Sequence, residues 1–180
     1  MSLTQLMFET RVEFPGFRIV KKTDSGFMKL LAAVLLAVTF GSQKTFMTSY
    51  TTTINTTVYV PGDWDTWTES RKISILRHER VHMRQAAKLS FPVFMLLYLF
   101  VPLPLGLAWY RAKFEWEAYT ESMRAAVELY GVDILGDSKF KDGIISHFTT
   151  GDYGWMWPFP AQVESWYATA KKDIERSYGR

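Results

Sequence analysis

The sequence contains no cysteine. Disulfides, thiolate metal sites and a cysteine nucleophile are therefore excluded, and the absence fits a reducing, cytoplasmic setting. Histidine is almost as scarce: with three in 180 residues, all imidazole chemistry rests on His78, His82 and His147. Blocks of like charge are also missing. The 21 basic and 18 acidic side chains are spread along the chain for a net charge of +3, which argues against a nucleic-acid partner. There is no internal repeat and no low-complexity tract. The length suits one domain with its own core, residues 1–180, and is short for two.

What the chain has in abundance is rings. Aromatic residues make up 16% of a sequence that is otherwise ordinary, at 48% hydrophobic and 22% charged. Such a density suits a tightly packed core or a surface that grips apolar material. Two stretches resemble targeting or membrane segments. One starts at Met28, MKLLAAVLLAVTFGSQ, and has the basic start and short apolar run of a signal peptide; its place behind 27 ordinary residues favours a buried helix instead. The other, Leu89 to Tyr110, is uncharged for long enough to span a bilayer. It carries Pro92, Pro102 and Pro104, and the last two would break a spanning helix near its middle. Membrane association through residues 89–110 is the less favoured expectation.

Periodicity and punctuation predict a strand over 17–22 and a short apolar helix over 26–40. One or two strands follow in the Thr-, Val- and Tyr-rich 45–60, stopped by Pro61-Gly62. Asp65, Thr66 and Thr68 are candidate caps for a helix over 68–89, with Ile73, Leu76, Arg80, Met83 and Ala87 on one stripe. An irregular apolar segment separates it from a second long helix, 109–130, which Gly131 ends. A short segment at 144–148, the aromatic loop GDYGWMWPFP and a last helix from about 161 complete an α+β layout.

The most informative residues are His78-Glu79-Arg80-Val81-His82, an H-E-x-x-H match. Positions four apart share a helix face, so both imidazoles can reach one ion. Glu79 sits beside them, placed to take a proton from a water that zinc has acidified. Two imidazoles with a carboxylate suit zinc best among divalent metals. The competing reading is a pair of surface histidines near Arg77 and Arg80.

A catalytic zinc takes three protein ligands. The position six beyond His82 is Lys88, so the third ligand falls among Glu115, Glu117 and His147. Around Glu115, positions 112, 118, 119, 122 and 126 are small or apolar. Around Glu117, positions 113, 120, 121, 124 and 128 are charged or polar. An acid on a buried face needs a partner, which favours Glu115. His147 is alternatively a donor to an oxyanion or an ordinary packed histidine. Tyr153, Trp155, Trp157 and Phe159 line a cleft or, more commonly for such residues, plug the edge of a core.

HERVH, with Phe114-Glu115-Trp116-Glu117-Ala118-Tyr119 downstream, resembles the zincin superfamily in its branch with a glutamate third ligand. In that branch E-x-x-A-D is common on the second helix; here Glu115 and Ala118 match, and Tyr119 stands in place of the aspartate. The chain is also similar to small predicted metallopeptidases of bacteria and phages. These share Y-x-P, H-E-x-x-H-x-x-Q and F-E-x-E-A-Y, found here at Tyr59 to Pro61, His78 to Gln85 and Phe114 to Tyr119. The resemblance covers about residues 50–125. It implies a minimal zincin-like domain, in which a small mixed sheet packs on the motif helix and on a second ligand-bearing helix. It also implies one zinc per chain on His78, His82 and Glu115, Glu79 as general base, and a peptide substrate laid along the strand at 51–60. The alternative is a zinc-binding structural or interaction protein without turnover, such as a phage particle component. Virion- or membrane-associated placement is the corresponding alternative to a cytoplasmic one.

Overall fold

Helix dominates the computed structural model, which describes residues 1–38, 45–100, 108–150 and 156–179. Among the described residues the helices are accompanied by one three-stranded sheet, so the class is α+β, as expected. Contacts divide the chain into Met1–Met83 and Arg84–Arg180.

In the first unit, α1 (Leu3–Glu13) starts at Ser2, whose hydroxyl accepts from the Gln5 backbone N–H at 3.2 Å and so satisfies one of the exposed amides of the first turn. This helix was not anticipated; its apolar periodicity is weak, and only Leu6 and Thr10 are buried. Strand β1 (Arg18–Lys21) runs parallel to β3 (Thr57–Val60), and β2 (Thr52–Ile54) pairs antiparallel on the other side of β3. The sheet order β1-β3-β2 leaves β2 at one edge. The predicted strand region thus resolves into a hairpin. Its tight turn places Asn55 at φ 55°, a conformation asparagine tolerates better than branched residues. Helix α2 (Gly26–Val38) forms where expected, and the residues beyond Val38 in the expected helix lie outside those described. It is not buried, however: Met28 is enclosed, while Phe27, Leu30, Val34 and Leu36 are exposed. Apart from Lys29 the helix is apolar or glycine all round, so its sequence marks no clear polar face from which to read the buried one.

Helix α3 (Glu69–Leu89) carries the H-E-x-x-H residues. Ile73, Leu76 and Met83 of the expected stripe are buried, but the stripe continues through Ala86 rather than the exposed Ala87. Arg80, the polar member of that stripe, ion-pairs with α1 through Glu13 at 2.6 Å and Glu9 at 3.4 Å. A long charged side chain thereby occupies a half-buried position with its charge satisfied. The helix stops where Ser90 adopts φ 66°, and Pro92 sits in the first turn of the next one.

In the second unit the apolar segment is helical at its start, as α4 (Phe91–Phe100), where an irregular segment was expected. Pro102 and Pro104 lie outside the described residues. No helix among the described residues is long and apolar enough to cross a membrane. The core of this unit joins α5 (Trp109–Tyr130), α6 (Ser138–Thr149) and α7 (Pro160–Ser177). Met123, Val127, Ile144, Phe148, Val163, Tyr167 and Ile174 are buried together. Residues Val163, Tyr167, Ala170 and Ile174 recur at helical spacing, which is why one face of α7 packs and the other stays wet. Trp157 belongs to this cluster, stacking near Trp166 with ring centroids 6.1 Å apart. It is half-buried against the core and Phe159 is exposed, while Tyr153 and Trp155 lie outside the described residues.

Candidate functional site

A regular helix turns 100° per residue, so α3 presents His78 and His82 on one side with Glu79 beside them. His82 and Glu79 are each 7% exposed, and His78 is half-buried. The two imidazoles meet edge to face with centroids 4.9 Å apart, and their Nε2 atoms approach to 3.2 Å. Two nitrogens bound to one zinc at about 2.0–2.1 Å and a tetrahedral angle stand roughly 3.3 Å apart. The pair therefore has the separation of two ligands to one ion.

Glu79 is held from the sheet. The Thr53 hydroxyl on β2 donates to Oε2 of Glu79 at 2.6 Å. Lys22, in the single turn after β1, is completely buried. Its ammonium donates to the Phe46 carbonyl at 2.7 Å and lies 3.7 Å from the Phe46 ring centre. Burial pushes the Lys22 pKa down to about 8, and attraction to the Glu79 carboxylate works in the other direction.

In the second unit the two candidate acids on α5 separate as their neighbours suggested. Glu115 is 3% exposed, whereas Glu117 faces solvent. Oε1 of Glu115 accepts a hydrogen bond from the hydroxyl of Tyr98 on α4, and the Arg111 guanidinium lies 5.3 Å from the centre of the Tyr98 ring. Gln85 is buried and uses both amide protons, giving one to the Phe114 carbonyl at 3.0 Å and one to Glu117 at 2.9 Å. Tyr119, at the place of the aspartate in E-x-x-A-D, stacks on His147 with centroids 5.3 Å apart and planes 22° apart. It also meets the buried Phe148 edge to face at 5.5 Å. His147 is thus a packed histidine of α6, with its ring against α5.

The structure brings His78, Glu79 and His82 together with Thr53 and Lys22 in the first unit. In the second it groups Glu115 with Tyr98, and Glu117 with Gln85. Thr53, Lys22 and Tyr98 were not singled out from the sequence. Tyr98 left a signal, since a tyrosine inside FPVFMLLYLF must find a partner for its hydroxyl once that segment packs. Thr53 is one of many threonines in its strand and Lys22 one of two adjacent lysines, so neither stood out. No protein family, curated protein or solved structure matches the chain.

Proposed function

We propose that the chain is a zinc-dependent peptidase of zincin-like fold. In this reading His78, His82 and Glu115 are the three ligands of a single ion, and Glu79 serves as general base. The observation that carries the reading is the His78–His82 pair, with Nε2 atoms 3.2 Å apart and Glu79 between them in sequence. Two neutral imidazoles at that distance share either one proton or one ion. The donor set is also right for zinc: two nitrogens and a carboxylate oxygen, with room for a fourth ligand in a tetrahedral shell.

When bound, zinc supplies Lewis acidity, which lowers the pKa of a coordinated water to about 7 and polarises a carbonyl. The protein's own residues do the rest. Glu79 accepts the proton of the attacking water and delivers it to the leaving amine. Burial of Glu79 and His82 keeps the proton transfer out of bulk water, where it would be less directed. Glu115, enclosed and hydrogen-bonded by Tyr98, offers a carboxylate of fixed orientation.

The test is elemental analysis of the purified chain, with peptide hydrolysis measured beside Glu79→Gln. One zinc per chain in both, with hydrolysis only in the wild type, is expected. Zinc in both without hydrolysis in either supports a zinc-binding module without turnover. A wild type that neither contains nor takes up zinc overturns the reading.

A further inference from the structure

We infer that Thr53 is a positioning residue for Glu79, fixing which carboxylate oxygen receives the proton; this rests on the peptidase reading given above. A glutamate side chain has three rotatable bonds, and its two oxygens are chemically equivalent until something distinguishes them. The Thr53 hydroxyl makes that distinction by donating to Oε2 at 2.6 Å, within the short range of a hydrogen bond to a charged carboxylate. Its single proton goes to Oε2, which leaves Oε1 to the reacting water.

The donor is itself well anchored. Thr53 pairs with Val58 in the β2–β3 ladder, so its Cα is held by the sheet rather than by a loop. Its branched Cβ restricts the hydroxyl to few rotamers. Lys22, which follows β1 at the opposite edge of the sheet, is fully enclosed, and attraction to the Glu79 carboxylate works against the lowering of its pKa by burial. Lys22 is in turn fixed by the Phe46 carbonyl at 2.7 Å. One hydrogen bond from β2 thus holds a side chain that belongs to α3. A threonine needed only for strand propensity has no reason to direct its hydroxyl at the one acid of the H-E-x-x-H motif.

The experiment compares zinc-loaded full-length wild type, Thr53→Val and Thr53→Ser. Valine keeps the shape and strand preference of threonine and removes the hydroxyl; serine restores it. Peptide hydrolysis gives kcat and KM, chelator competition gives zinc affinity, and infrared spectra of the carbon-13 glutamate-labelled protein report the Glu79 carboxylate, its band assigned by loss in Glu79→Gln. In Thr53→Val the band shifts and kcat falls about 10- to 100-fold with KM and zinc affinity unchanged; Thr53→Ser recovers both band and kcat. An unshifted band in Thr53→Val, or a wild-type kcat in that variant, overturns the inference. A zinc-loaded wild type that hydrolyses nothing overturns the peptidase reading and the catalytic role of Thr53 with it, while the band still decides whether Thr53 holds Glu79.

Discussion

The hydroxyl of Tyr98 donates to Oε1 of Glu115, so a tyrosine from an otherwise apolar helix satisfies a carboxylate that is only 3% exposed. Partners of this kind set the orientation of a ligand and the charge it offers. Tyr98→Phe keeps the ring, which packs near Phe94 with centroids 5.5 Å apart, and removes only the hydroxyl. Zinc affinity in the variant is expected to fall about 10- to 100-fold by chelator competition. An unchanged affinity would separate Tyr98 from the metal.

Glu115 and Glu117 are two residues apart and differ in surroundings, so they give a matched comparison. Glu115→Gln is expected to lose zinc. Glu117→Gln keeps it, because Glu117 is solvent-exposed and engaged with the Gln85 amide at 2.9 Å. The same metal analysis on His78→Ala and His82→Ala should give the loss seen with Glu115→Gln. Zinc retained by Glu115→Gln but lost by Glu117→Gln would reverse the assignment.

Lys22 predicts a pH dependence of stability. Burial lowers its pKa from 10.5 to about 8. Between those values the unfolded chain binds more protons than the folded one, so stability rises with pH across that window, and the burden of the enclosed ammonium is fully present below it. Lys22→Met removes the titrating group at similar volume. The stability of wild type relative to this variant, from urea unfolding, is expected to rise by roughly 1–3 kcal/mol between about pH 7.5 and 10. A difference that stays flat over this range would mean that the ammonium is well solvated.

Phe148 is the enclosed centre of the ring cluster in the second unit, with Tyr119 at 5.5 Å, Trp116 at 5.8 Å and Trp166 at 6.3 Å. Phe148→Ala opens a cavity there and is expected to destabilise by about 3–5 kcal/mol. Urea unfolding followed by tryptophan fluorescence measures it, since Trp116 and Trp166 border the cavity. A loss below about 1 kcal/mol would show that the rings collapse to fill the space.

The sequence by itself determined the chemistry on offer. Without cysteine and with few histidines, the four-residue spacing of His78 and His82 was the one imidazole pair a helix would align, and the amphipathic stripe of α3 marked that helix. The small neighbours of Glu115 and the charged neighbours of Glu117 correctly separated a buried acid from an exposed one, because burial on a helix follows a period that local sequence records. Tertiary structure alone decided the rest. Strand β2 sits at an edge and delivers Thr53 to Glu79 because of a hairpin and a parallel crossover, neither of which leaves a mark at residue 53. Lys22 ends up enclosed although lysine is normally a surface residue. Much of helix α2 stays exposed although its run is largely apolar. Local periodicity reports which face of an element is apolar; which distant side chain meets that face depends on contacts far apart in sequence, and these are settled only when the chain folds.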